Sequence, residues 1–216
     1  MTDGFVFLIF QLAVLIFSVM VHEVAHGAMA LRLGDTTARD AGRLTLNPIK
    51  HLDFFGSFIV PISLYILSGG AFVLGWAKPV PINPHNLKNP KKGSGLIAAV
   101  GPLSNLAVAA VFGLLLQFVF PIIPVPSGLA ASLSILLNTI VAINVILAVF
   151  NLVPLPPLDG SNLLFSLLPR RLLFVQEFLL RYGFWILILF LLFGFQLITP
   201  IIGLIYRFLV GSAALF

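Results

Sequence analysis

The sequence predicts an all-α polytopic membrane protein with about four to six transmembrane segments. Between the first helix and the next full span it predicts a re-entrant or β-hairpin element. Three observations carry the fold class. Of 216 residues, 60% are hydrophobic and 9% charged, too little charge to cover a soluble domain. Several apolar runs approach or exceed the ~20 residues that span a hydrocarbon core. Those runs are long and uninterrupted, whereas a membrane barrel shows short alternating segments.

The apolar regions are residues 5–33, 54–75, 96–123, 131–153 and 183–216. The first is too long for the apolar part of a cleavable signal and lacks a basic start, so it is expected to be retained. The second contains Pro61 and Gly69-Gly70, breakers that suit an element that enters the membrane and returns. The third and fourth, separated by a short Pro-rich turn at 121–127, read as ordinary spans. The last contains Thr199-Pro200, which makes it one kinked helix or two shorter segments. No internal repeat is present. The chain reads as one membrane-embedded domain over 1–216, with a core at 1–160 and C-terminal amphipathic and transmembrane segments at 161–216.

Charge placement gives the topology. Arg32, Arg39, Arg43 and Lys50 lie in the first connector, Lys78, Lys88, Lys91 and Lys92 in the second, and Arg170, Arg171 and Arg181 in the last. All three connectors should therefore face the cytoplasm. That is consistent only if the second apolar region does not cross. The N-terminus is then outside, the first helix runs inward, the third region outward and the fourth inward. The net charge of +5 is accounted for by this asymmetry, and no nucleic-acid partner is expected.

The chemistry sits in the first helix, at His22-Glu23-Val24-Ala25-His26. Residues four apart share a helix face, so both imidazoles can reach one ion, with Glu23 beside them to handle a proton. Ionisable groups in a membrane helix are costly and mark function by default. The structural alternative is a pair of buried histidines bonded to neighbouring helices. With no cysteine in the chain, any metal is held by nitrogen and oxygen. A catalytic zinc needs a third protein ligand, and the candidates are His51, Asp53, His85, Asp159, Glu177, Asp35 and Asp40. Asp159 stands out. It follows the inward fourth region in Asn151-Leu-Val-Pro154-Leu-Pro156-Pro157-Leu158-Asp159-Gly160, where prolines forbid continued helix. Gly160 is expected to permit a turn that leaves Asp159 free. Asp159 reaches the depth of His22 and His26 only if an even number of crossings separates them, which the re-entrant reading supplies.

His22-Glu23-xx-His26 followed by Asn151 and Leu158-Asp159-Gly160 resembles the site-2 protease family of intramembrane zinc metalloproteases (peptidase M50 type). Gly101-Pro102-Leu103-Ser104-Asn105, the stretch from Gly42 to Asp53, and Trp76-Ala77-Lys78-Pro79-Val80-Pro81-Ile82-Asn83 are similar to further landmarks of short bacterial members. The resemblance implies that His22, His26 and Asp159 bind one Zn²⁺ and that Glu23 is the general base. It implies that Asn151 contacts the substrate peptide or the oxyanion. The reaction implied is hydrolysis of a peptide bond in or near a transmembrane segment of another membrane protein. The setting implied is a bacterial inner membrane, with the site towards the cytoplasmic face. PDZ or CBS domains, common in the family, are not expected here. A catalytically silent chaperone or regulator and a transporter are the competing functions. Oligomeric state is not legible.

Lesser expectations complete the reading. Part of 54–83 should either clamp or gate the substrate or simply anchor the chain in the membrane, with strand character at 43–46 and 72–74. Asn105 and Asn144 should make hydrogen bonds between helices. His51 and His85 should be solvated or lie behind the ligands. Lys88, Lys91 and Lys92 should sit near anionic lipid, and 170–181 should form an interfacial amphipathic helix.

Overall fold

The computed structural model describes residues 2–67, 69, 78–124, 126–211 and 214. Among these residues there is no strand, and the helices follow the apolar runs. Helix α1 (Thr2–Arg32) is the first of them. A single turn, α2 (Thr37–Asp40), follows it. A short apolar stretch comprises a π-turn, Phe55–Ile59, and α3 (Val60–Leu67). Helix α4 (Pro90–Leu114) starts at Pro90, with the Asn89 side chain accepting from the Lys92 N–H, an N-cap with proline in the first turn. After the turn come α5 (Ser127–Asn151) and α6 (Asp159–Leu167). The chain ends in α7 (Leu173–Leu189) and α8 (Phe195–Val210), joined by a π-turn at Phe190–Gly194.

Four helices are long and apolar enough to cross a membrane: Gly4–Arg32, Pro90–Ile122, Gly128–Asn151 and Arg170–Val210. Their outer faces carry exposed side chains such as Phe5, Leu103, Leu197 and Phe208, a surface that only lipid solvates at low cost. The protein is an integral membrane protein. Helix α4 is central, packed against α1, α5, α6 and α8. The main core lies between α4, α5 and α8, around Ala109, Leu116, Val141, Val145, Ile198 and Tyr206. A smaller cluster of Ala30, Leu87 and Ile97 seats residues 82–87 where α1 meets α4.

The second apolar region is described only in its first part, residues 54–67 and 69. The stretch Phe55–Leu67 rises roughly 20 Å as helix, short of the ~30 Å hydrocarbon thickness. The connectors on either side of it meet: Arg43 donates to the Lys78 and Pro79 carbonyls, and the Lys78 N–H to the His51 carbonyl. The predicted β-hairpin alternative finds no support among the described residues. Residues 44–46 are bends, and the buried Arg43 side chain bonds the Lys78 carbonyl. Residues 72–74 lie outside the described residues.

The C-terminal region also differs in extent. Its helix begins at Arg170 rather than near 183, so the expected interfacial helix and the last apolar run are one element with a π-turn in it. At 41 residues it is roughly 60 Å long, about twice a hydrocarbon core. Arg170, Arg171 and Arg181 broke the apolar run in the sequence, yet they sit on exposed helix surface, which tolerates charge.

Asp35 organises the end of α1. Its buried carboxylate accepts from the Thr37 N–H and hydroxyl, the Asn83 N–H and the Asn86 amide. Burial pushes this carboxyl up, but the hydrogen bonds outweigh burial and bring it down to about 2. It is therefore ionised throughout the physiological range and ties residues 83–86 to the end of α1.

Candidate metal centre

Two elements bring three donor atoms together. On α1, His22 and His26 lie one turn apart on the face turned to α4, each 6% exposed. Asp159 is the first residue of α6, which begins where the proline-rich segment leaves α5. Its carboxylate does not cap its own helix; it points at the histidines. His22 Nε2 lies 2.9 Å from Asp159 Oδ2, His26 Nε2 3.2 Å from the same oxygen, and the two Nε2 atoms 3.0 Å apart. Among the described residues this is the one group of three such side chains whose ligand atoms converge.

The hydrogen bonds behind the ring nitrogens decide what the trio can hold. His26 Nδ1 faces the Ile97 carbonyl at 2.7 Å, which only accepts, so Nδ1 carries the proton. His22 Nδ1 faces Asn105 Oδ1 at 2.6 Å. The orientation of that amide is set because Asn105 Nδ2 donates to the Ser18 carbonyl and to Asn144 Oδ1. Asn144 is set in turn by donating to the Ile140 carbonyl and the Ser18 hydroxyl. With both rings neutral, the two Nε2 atoms present lone pairs to each other and to a carboxylate oxygen. Three acceptors within about 3 Å repel one another unless a cation sits between them. Tetrahedral zinc with bonds of 2.0–2.1 Å sets its ligand atoms about 3.3 Å apart, so this donor set fits zinc with little adjustment.

Two glycines permit the approach. A Cβ on Gly101 of α4 would lie 2.4 Å from His26 Cε1 and Nε2 and 2.6 Å from His22 Nε2. A Cβ on Gly160 would lie 2.3 Å from the Leu152 carbonyl oxygen and 2.4 Å from that of Val153. The expected role of Gly160 is thus corrected. It belongs to helix α6 and has no positive φ; its missing side chain lets α6 press against the end of α5.

The trio opens on a cavity of about 340 Å³, lined also by Glu23, Ser94, Asn151, Asn162 and residues 79–84 in part. Glu23 is half-buried, and its Oε2 accepts from the Val80 N–H at 2.8 Å. Asn151 lines the same cavity and gives one amide hydrogen to the Leu147 carbonyl, which leaves the other for a ligand.

The remaining third-ligand candidates have other work. Asp53 accepts from the Gly56 N–H, Asp40 bonds Thr36 and Arg39, and Glu177 and His85 are exposed. Of the two expectations for His51, solvation is excluded: it is buried and bonds the Thr45 carbonyl. Asn105 and Asn144 do bond between helices, and Asn105 also holds the His22 ring. That second role escaped sequence reasoning, although Asn105 lies one turn from Gly101 on the same face of α4. Asn105→Leu is expected to weaken zinc binding by roughly 10–100-fold, the usual loss when the partner behind a ligand histidine is removed. A chelator competition on purified protein reads this directly.

Residues 121–190, which include Asn151 and Asp159, match the model of Peptidase family M50. YwhC of Bacillus subtilis (strain 168) is 38% identical over 72% of this chain and 67% of its own length. Rip2 of Mycolicibacterium smegmatis is 32% identical over 68% of this chain and 52% of its own. MJ0611 of Methanocaldococcus jannaschii is 31% identical over 66% of this chain and 62% of its own. All three are named, provisionally, as zinc metalloproteases. No solved structure matches. A donor set that fits zinc and this degree of likeness lead to one conclusion: the chain belongs to peptidase family M50, the site-2 protease family, and is a zinc metalloprotease.

Proposed function

We propose that this protease cleaves peptide bonds in or beside transmembrane segments of other membrane proteins, and that the whole chain is one membrane-embedded catalytic domain. The observation that carries the reading is the position of the trio. His22 and His26 lie within an apolar helix of membrane-spanning length, and the cavity they share with Asp159 opens among α1, α4 and residues 79–84. That position favours a peptide bond presented at membrane depth.

In this reading His22, His26 and Asp159 hold one zinc ion. Zinc there supplies a Lewis acid that acidifies water and polarises a carbonyl. Glu23 takes the proton of the attacking water on its free Oε1 and gives it to the leaving amide nitrogen. The second amide hydrogen of Asn151 steadies the substrate carbonyl or the developing oxyanion. A substrate helix hides its carbonyls in its own hydrogen bonds, so it unwinds before attack.

The orientation follows from charge: N-terminus outside, the site towards the cytoplasmic side of a bacterial cell membrane. The meeting of Arg43 with Lys78 supports an even number of crossings between α1 and Asp159. The test is purified protein with a panel of single-span reporters and Glu23→Gln as control. Cuts within or next to the span are expected. Zinc-loaded protein that cuts only soluble peptides would contradict the proposal.

A further inference from the structure

We propose that the backbone N–H of Val80 orients the Glu23 carboxylate for proton transfer, and that residues 78–86 are tied down on both sides of Val80 to hold that N–H in place. The inference rests on the reading of Glu23 as general base.

Glu23 projects from α1 on a flexible side chain, and nothing on its own helix fixes which oxygen faces the cavity. The Val80 N–H takes Oε2 at 2.8 Å, a hydrogen bond strengthened by the charge on its acceptor. Oε1 is thereby left to face a reactant. Val80 is flanked by Pro79 and Pro81, neither of which has an N–H, so within this tripeptide Val80 alone can donate. A residue before proline is confined to extended backbone, which limits where its N–H can point.

The anchoring is two-sided. On one side the Arg43 guanidinium, itself buried, donates to the Lys78 and Pro79 carbonyls at 2.7 and 3.2 Å, and the Lys78 N–H donates to the His51 carbonyl at 2.8 Å. On the other, Asp35 accepts the Asn83 N–H at 2.7 Å and the Asn86 amide at 2.8 Å. The Val80 side chain is buried, and Gly27 leaves room for it: a Cβ there would lie 3.0 Å from Val80 Cγ1. Two buried charged side chains thus secure a short segment on either side of its one contact with Glu23. Simple coverage of α1 would not require a donor at that point. Val80 and Arg43 are positioning residues in this account, acting through Glu23.

The experiment compares full-length Val80→Ala, Val80→Pro and Glu23→Gln proteins, using the reporter cut fastest in the panel. Val80→Pro keeps extended backbone and deletes the N–H; Val80→Ala keeps the N–H and trims the side chain. All should bind one zinc per chain. The kcat of Val80→Pro should fall about thirtyfold or more below that of Val80→Ala, with KM within about threefold, the scale of loss when a reacting group is misplaced by about 1 Å. Equal kcat in the two, with zinc bound, overturns the proposal. Should Val80→Pro fail to fold, Arg43→Gln decides: zinc retained with reduced kcat supports the proposal, and undiminished kcat overturns it. A Glu23→Gln protein that still cleaves removes instead the general-base reading, an outcome distinct from any result at Val80.

Discussion

Gly101→Ala is expected to cost the protein its zinc. The added Cβ would lie 2.4–2.6 Å from the Nε2 atoms of both imidazoles, roughly 1 Å inside ordinary contact distance. Relief requires either α4 or both histidines to move. Helix α4 is held by α1, α5, α6 and α8 together, and the rings are pinned behind by Ile97 and Asn105, so the rings yield by losing their convergence with Asp159. Zinc affinity should fall by at least about a hundredfold, more than removing one partner behind a ligand does. The fold should survive, because overpacking one methyl costs about 1–3 kcal/mol. Chelator competition and metal analysis after dialysis measure the loss. Unchanged zinc binding would mean that α4 does not lie against the two imidazoles.

Glu23→Gln should abolish cleavage and leave zinc in place. The substitution preserves shape, and its amide oxygen still accepts from Val80. What it removes is the ability to take and return a proton, worth about 10²–10⁴ in rate. Glu23 is absent from the trio whose ligand atoms converge, so metal content should match the unmodified protein. Reporter cleavage together with zinc per chain separates the two effects. Cleavage undiminished in a zinc-loaded Glu23→Gln protein would place the base elsewhere.

The parts of this account that were legible in the sequence are those that obey a period. His22 and His26 share a face because they are four apart, and the spans show as apolar runs. Asp159 was legible for a different reason: prolines must end α5, and parity requires its connector to return to the depth of His22. What depends on how helices cross was not legible. Gly101 acts through a missing side chain, which becomes visible only once α4 lies on α1. Asn105 reads as interhelical glue until the rotation of α4 aims its oxygen at His22. Asp159 was expected in a turn released by Gly160, but helix α6 begins at that residue because Gly160 lets it close against the carbonyls of Leu152 and Val153. Residues 79–84 have no period, so the resemblance around Trp76–Asn83 marked the segment without showing that its Val80 N–H meets Glu23.

The central claim is that two imidazoles of α1 and the carboxylate of Asp159 share one zinc ion in the membrane. Zinc-edge X-ray absorption on the purified protein, set beside the same measurement on Asp159→Ala, tests it most directly. The account predicts one zinc per chain with two nitrogen ligands from histidine and oxygen ligands at about 2.0–2.1 Å, and a protein depleted of zinc after Asp159→Ala. A zinc shell that is unchanged in Asp159→Ala, or one without two histidines, would contradict it.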